Sequence, residues 1–288
     1  MLGYAAQMPT SGAAAERWRG ALEAWKIPET ILSRAPESPY GFPAEHFRRR
    51  AERALSAAAE ATPTVRRAAE ALGDHGEVLD VGCGSGAISL PLARHATRLI
   101  GVDENERMLE AFADAAVAAG VPAATICGRW PDVADRAEPA DVVVCGHVLY
   151  NVPDLDPFVL ALDRHARRRV VLEITERHPW AWMHDLWLAF HDLERPAGPT
   201  AADAVAALRE AGFAPAREDR TSTETGGGGF ERKADAVALV RRRLCLPAER
   251  DPEVEAALGD RLASDDEGLW SAGPSRHVTV TLWWDAAR

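Results

Sequence analysis

The sequence predicts an α/β fold, a doubly wound sheet of seven strands, mostly parallel with an antiparallel last strand, carrying additional helical cap segments. Three observations predict it. Runs such as DVVVCG (141–146) and RVVLEIT (169–175) are nearly continuous in β-branched and apolar residues, as strands covered on both faces are. From Glu77 onward such runs alternate with helical patterns, the signature of parallel strands joined by crossovers. A chain of 288 residues, 47% of them hydrophobic, is large enough to bury that core.

Taken in order, the first 76 residues carry helical stripes and no strand pattern. Trp18, Leu22 and Trp25 share one helix face, and Phe47, Ala51, Leu55 and Ala58 repeat the stripe. Pro63 after Thr62 opens a third helix with Val65, Ala69 and Leu72. The alternating region then reads as strand 77–82, helix 86–95, strand 98–102, helix 105–119, strands 123–127 and 140–146, helix 155–166 and strand 169–175. Thr200 and Asp203 form a capping box for a further helix that Gly212 ends. Strands at 214–222 and in RHVTVTLWWD close the sheet, and the roughly fifty residues between them, opening on GGGG (226–229), read as helices. The expected organisation is an N-terminal helical cap over 1–76, a core of 77–222 with 275–288, and a cap insertion over 223–274.

The stretch EVLDVGCGSG (77–86) marks the site. In a doubly wound sheet ligands lie outside the carboxyl ends of the strands, and this is the first loop there. Gly82, Gly84 and Gly86 remove every second Cβ, so a ligand can lie against the backbone beside the expected helix N-terminus. Cys83 fills the loop between them. The spacing is GxGxG, not the GxGxxG of dinucleotide sites, and no Lys-Ser or Lys-Thr follows as a phosphate loop requires. Asp80 suits a cationic ammonium better than a pyrophosphate, and Asp103, ending the second strand, is placed to accept two ribose hydroxyls.

These residues resemble a known family. VLDVGCGSG (78–86) followed by GVDENERML (101–109) is similar to the glycine motif and acidic partner of the class I S-adenosylmethionine-dependent methyltransferases, of the type 11/12-like domain, over about 77–222 with 275–288. The resemblance implies a Rossmann-like core, S-adenosyl-L-methionine as cofactor and S-adenosyl-L-homocysteine as product. It assigns cofactor binding to Asp80, Gly82, Cys83, Gly84, Gly86, Asp103, Glu104, Met108, Gly128, Arg129, Trp130, Gly146 and His147. It departs at Arg129, where many members carry an aspartate toward the adenine amino group, and the Trp130 backbone or ring is then expected to bound the base. CGHVLYNVPD (145–154) resembles the loop beside the transferred methyl and brings His147, Tyr150 and Asn151 to it.

The acceptor is expected to be a small, apolar or aromatic molecule. Trp18, Trp25, Trp180 and Trp182 lie outside the strands in segments able to cover the site, and with Tyr150, Asn151 and His184 they form the expected pocket. His147 or His178 can take a proton from a hydroxyl because imidazole titrates near neutral pH, so O-methylation is favoured over nitrogen or carbon, with Tyr150 as a third catalytic candidate. The spacing of His178, His184 and His191 lacks the i, i+4 pairing of zinc sites, so no metal is expected. With 44 acidic and 33 basic residues the net charge is −11, which argues against a nucleic-acid partner. The triplets Arg48–Arg50 and Arg241–Arg243 point in directions about 100° apart along a helix and form no single anion site. Two alternatives stand beside the small-molecule enzyme: an RNA methyltransferase, and a cofactor-binding regulator without turnover. With no signal peptide or spanning segment, and four cysteines outside any CxxC pair, a soluble cytoplasmic protein, monomer or homodimer, is expected.

Overall fold

The computed structural model describes residues 12–40, 62–222, 229–274 and 276–286. The helical stripe Phe47–Ala58, the Arg48–Arg50 triplet and all but the last glycine of the GGGG run lie outside the described residues.

Seven strands form one sheet: β1 (Gly76–Val81), β2 (Ala96–Asp103), β3 (Ala123–Cys127), β4 (Ala140–Gly146), β5 (Ala166–Thr175), β6 (Ala216–Ser222) and, last in the chain, β9 (His277–Asp285). Their spatial order is β3-β2-β1-β4-β5-β9-β6. The first five are parallel, and β9 inserts antiparallel to both β5 and β6. The central strands are buried on both faces: Val142 and Val144 of β4 join one hydrophobic cluster, Val143 and Cys145 the other. The edge strand β6 instead alternates exposed and half-buried residues and carries charge, which protects an edge from pairing with another chain.

The chain runs outward from β1 through β2 to β3, then returns to place β4 on the other side of β1. That reversal opens a crevice between the β1 and β4 loops, where ligands bind in such sheets. Because β6 is antiparallel to β9 and β9 to β5, the carboxyl ends of β5 and β6 share one edge. Ser222 pairs with His277, so the 223–276 insertion leaves and returns at the edge that carries the crevice.

Helices α1 (Ala13–Ala24), α2 (Glu29–Leu32) and α3 (Pro63–Leu72) take three different places. Ala14, Trp18 and Leu22 of α1 join the core cluster that includes Ala204 and Leu208, and the Ala14 N–H donates to Glu210 Oε2 at 2.6 Å. Val65, Ala68 and Leu72 of α3 pack against Val78, Val142 and Val171 on the opposite sheet face. Only the α2 region, through Ile27, Ile31 and Ala35, joins a separate third cluster. Helix α3, expected in the N-terminal cap, is therefore a sheet-covering helix. Its Pro63–Leu72 stripe finds the apolar sheet face nearer than any cap.

Along the core, α4 (Glu106–Ala118) is capped by Asn105, and α5 (Leu155–His165) follows β4. Helix α6 (His184–His191) follows β5, and α7 (Ala201–Glu210) starts at the expected Thr200–Asp203 capping box. The helix expected over 86–95 is not formed. Leu90 N–H reaches Gly86 O at 2.9 Å, but Pro91 has no N–H to continue the ladder, and the segment tightens into a 3₁₀ turn at Leu90–Leu92. The insertion contains α8 (Lys233–Arg243) and α9 (Asp251–Leu258), and also a small hairpin, β7 (Leu262–Ser264) with β8 (Trp270–Ala272), where only helices were expected. Its Val237, Val240, Leu244, Val254 and Leu258 cluster with Met183, Leu186 and Trp187 from the segment after β5.

Arg195 ties this cluster to the core. It is buried, its guanidinium lies 4.9 Å from the Trp25 ring and 5.0 Å from that of Trp187, and it donates to the backbone carbonyls of Trp25 and Lys26 just past the end of α1. A cation at a helix C-terminus satisfies carbonyls with no partner of their own and opposes the helix dipole. We expect Arg195→Ala to lower unfolding free energy by about 2 kcal/mol, from lost charge-assisted hydrogen bonds and lost stacking. Chemical denaturation measures it, and an unchanged midpoint would mean that the contact carries no stability.

Candidate active site

The glycine loop divides its work. Gly82, Gly84 and Gly86 all have positive φ. A Cβ on Gly82 would lie 2.3 Å from Val148 Cγ2, and one on Gly86 would lie 2.8 Å from Leu90 Cγ, so these two permit close packing within the protein. A Cβ on Gly84 would meet nothing within 4 Å, so this is the glycine that faces open space. Cys83 is buried, burial pushes its thiol up, and its Sγ sits where Gly101 lacks a side chain. With the 86–95 helix absent, the loop presents no helix N-terminus, which corrects the expectation of a dipole there.

Asp103 is held for a particular task. Oδ2 accepts the Gly84 N–H and Oδ1 the Asn105 N–H, both at 2.9 Å. Each carboxylate oxygen retains a lone pair, which suits a diol such as ribose. Asp80 is buried and accepts the Ser89 hydroxyl at 2.6 Å. Burial, with the Asp103 charge adding to it against the Ser89 hydrogen bonds, pushes its pKa up to about 7. A cationic ligand at this loop would favour the ionised form.

Further along, Glu104 is exposed, Met108 is buried on the first turns of α4, and Gly128 donates its N–H to the Asp103 carbonyl at 2.9 Å. Arg129 is exposed. The Trp130 ring does not bound an open base site: it is buried in the core, donates to the Phe158 carbonyl at 3.3 Å and meets His165 edge-on. Its ring packs in the core cluster that includes Phe158 and Leu162 of α5, away from solvent. Gly146 backs onto Ile88, where a Cβ would lie 2.6 Å from Cγ1.

At the end of β4, His147 adopts a left-handed backbone with φ 60°. Its N–H donates to the Glu173 carbonyl at 2.7 Å, and its Nε2 lies 3.0 Å from Glu173 Oε1. Glu173 is a buried acid on β5, missed in the sequence reading, although a lone acid inside the apolar run RVVLEIT was the signal available.

The aromatic residues separate into groups. Trp25 stacks on His178 at 3.8 Å and 12°, Tyr150 meets His178 edge-on at 5.3 Å, and Trp18 stacks on Tyr150 at 5.5 Å. Trp18 is fully buried and donates to the Val152 carbonyl, and the Tyr150 hydroxyl donates to the Thr175 carbonyl at 2.7 Å. Burial raises the Tyr150 pKa, so neither group is a ready acid or base. Burial and then the Arg195 charge lower His178 to about 3, too weak a base to hold a proton near neutral pH. Trp180 and Trp182 pack in the third cluster, with guanidinium carbons of Arg243 and Arg261 at 4.3 and 5.9 Å from their rings. Asn151 and His184 are exposed, and His184 Nδ1 is bonded to the Arg195 backbone, so the structure does not join these to the Tyr150–His178 group. Among the described residues no group of three His, Cys, Asp or Glu side chains is placed to hold a metal ion. Arg241 of the second triplet pairs with Glu37 and Asp251.

Comparison with known proteins agrees with this geometry. Residues 78–168 match the family model described as a methyltransferase domain. An uncharacterized protein of Haemophilus influenzae is 28% identical over 213 residues, 73% of this chain and 76% of that protein. A ubiquinone biosynthesis O-methyltransferase of Rhizobium etli is 30% identical over 90 residues, 31% of this chain and 36% of the relative, so the chain spans about a third of that protein's length. A crystal structure from Bacillus halodurans, assigned to the methyltransferases, is 15% identical with a TM-score of 0.51, covering 78% of this chain and 97% of the other, a likeness of fold. Residues 78–168 form a methyltransferase domain, which indicates an S-adenosylmethionine-dependent methyltransferase. The open space at Gly84, the paired lone pairs of Asp103 and the poised charge of Asp80 fit S-adenosylmethionine as its cofactor.

Two outcomes are expected in calorimetry. Asp103→Ala should weaken S-adenosylhomocysteine binding by roughly 10- to 150-fold, equivalent to about 1.5 to 3 kcal/mol for charge-assisted hydrogen bonds, and unchanged affinity would remove Asp103 from the site. Because the folded Asp80 keeps its proton up to about pH 7, a cationic ligand must displace it below that pH. Affinity for S-adenosylmethionine should therefore rise as pH climbs toward 7 and level above it, with proton release at pH 6, and Asp80→Asn should flatten that dependence.

Proposed function

We propose that this protein methylates a hydroxyl oxygen of a small apolar or aromatic molecule. The observation that carries the reading is the His147–Glu173 pair at the carboxyl end of β4, with Nε2 3.0 Å from Oε1. Bound S-adenosylmethionine supplies an already activated methyl group. The protein's remaining tasks are to align the acceptor, take its proton and exclude water. A neutral imidazole whose Nε2–H is given to a carboxylate keeps its lone pair on Nδ1, which suits it to accept a hydroxyl proton. His178, stacked on Trp25, serves as a positioning ring and not as a base.

The cap supports an enclosed acceptor site. The segment after β5, the α2 region and the 229–272 insertion share one apolar cluster, and both the β5 segment and the insertion start at the carboxyl edge. We assign these three segments to a lid and the rest, including α1 and α3, to the catalytic core. The net charge of −11 favours a small acceptor over a nucleic acid. The relatedness to a ubiquinone biosynthesis O-methyltransferase over 90 residues supports oxygen as the acceptor atom. No helix among the described residues is long and apolar enough to cross a membrane, and we assign the protein to the cytoplasm.

Methyl transfer from labelled S-adenosylmethionine to a panel of catechols, phenols and aryl amines tests the reading. Hydroxylated members should be methylated. His147→Ala should lower kcat by roughly 10²- to 10⁴-fold, while His178→Ala should raise the acceptor KM more than it lowers kcat. Full turnover in His147→Ala, or methylation confined to the amines, would overturn it.

A further inference from the structure

Glu173 sits in the middle of a sheet whose other inward residues are almost all apolar, 8% exposed. A buried carboxylate persists only if its oxygens are satisfied. Here the protons can be traced. In its ionised form the carboxylate only accepts, and the single hydroxyl proton of Thr64 then goes to Oε2. Thr64 Oγ1 also lies 2.7 Å from Thr281 Oγ1, and with its own proton committed it receives that of Thr281. Both threonines are fully buried. Thr64 lies in the first turn of α3, whose N-terminal dipole favours a negative charge beside it.

The other oxygen faces His147. The histidine meets the same residue twice: its backbone N–H donates to the Glu173 carbonyl, and its Nε2 lies 3.0 Å from Oε1 as an ion-pair contact, while φ of 60° turns the chain away. We propose that Glu173, held by Thr64 and Thr281, is a positioning residue for methyl transfer. Its carboxylate orients the His147 ring and keeps the proton on Nε2, so that Nδ1 receives the proton of the acceptor. The proton moves from the acceptor oxygen to Nδ1 as that oxygen bonds to the methyl carbon and the carbon–sulfur bond of the sulfonium breaks, leaving its electron pair on sulfur, and the carboxylate itself stays ionised. This inference rests on His147 being the base.

The test begins without an acceptor. In protein with ¹⁵N-labelled histidine, loaded with S-adenosylhomocysteine, a charge-assisted Nε2–H to carboxylate bond should give a slowly exchanging imidazole proton far downfield of the amide envelope. It should vanish in His147→Gln and move upfield in Glu173→Gln, whose S-adenosylhomocysteine affinity should stay within about twofold of the parent. Thr64→Val, which keeps the carboxylate but removes one donor to it, should shift the same proton by a smaller step and gives the reading if Glu173→Gln does not fold. With catechol as acceptor, Glu173→Gln should lower kcat about 10²-fold or more and leave the cofactor KM unchanged. An unmoved downfield proton in Glu173→Gln overturns the inference, as does full kcat in that variant while His147→Ala is inactive. Full turnover in both variants overturns the base assignment as well, so the two failures are told apart.

Discussion

The reversal of strand order between β1 and β4 is the constraint on which the rest depends. Because β2 and β3 extend to one side of β1 and β4 and β5 to the other, the loops after β1 and β4 cannot cover each other, and both border the same crevice. Everything assigned to cofactor or acceptor follows from that placement. Gly84 and Asp103 lie on the β1–β2 side, His147 and Glu173 on the β4–β5 side. The backbones there approach so closely that side chains are excluded at Gly82 by Val148 and at Gly146 by Ile88.

Buried charge is used differently on the two sides. Asp80 has the hydroxyl and backbone N–H of Ser89 as donors and is fully buried, and its carboxyl is held close to neutral pH, where a ligand's charge can tip it. Glu173 has a hydroxyl at one oxygen and an imidazole at 3.0 Å from the other, with the N-terminus of α3 behind it. The first is left in a state that a cation would tip, and the second already has partners within the protein. Arg195 is a third case: its charge is balanced by backbone carbonyls at the end of α1 and two indole faces, a structural use that keeps the cap against the core.

Much of this was legible beforehand for a physical reason. Strand identity is local wherever apolar runs are continuous, and β3 and β4 fall at the expected residues. The Thr200–Asp203 capping box is equally local, since donor and acceptor are three residues apart. The expected helix over 86–95 failed on an equally local fact, the missing N–H of Pro91. The Trp130 backbone or ring was expected at the base site from the resemblance, and side-chain direction, which the motif does not encode, placed the ring in the core against Phe158.

The sequence by itself determined the doubly wound sheet, the glycine loop with Asp103 opposite it, and the cofactor class these imply, because each is written in residues close together in the chain. Only the tertiary structure decided which side chains gather at the β4–β5 side of the crevice. It joined Thr64, His147, Glu173 and Thr281 from four distant segments, separated Asn151, Trp182 and His184 from the Tyr150–His178 group, and moved α3 from the cap to the sheet. Such groupings arise from strand order and from competition for apolar surface, and neither is encoded in the spacing of residues along one segment.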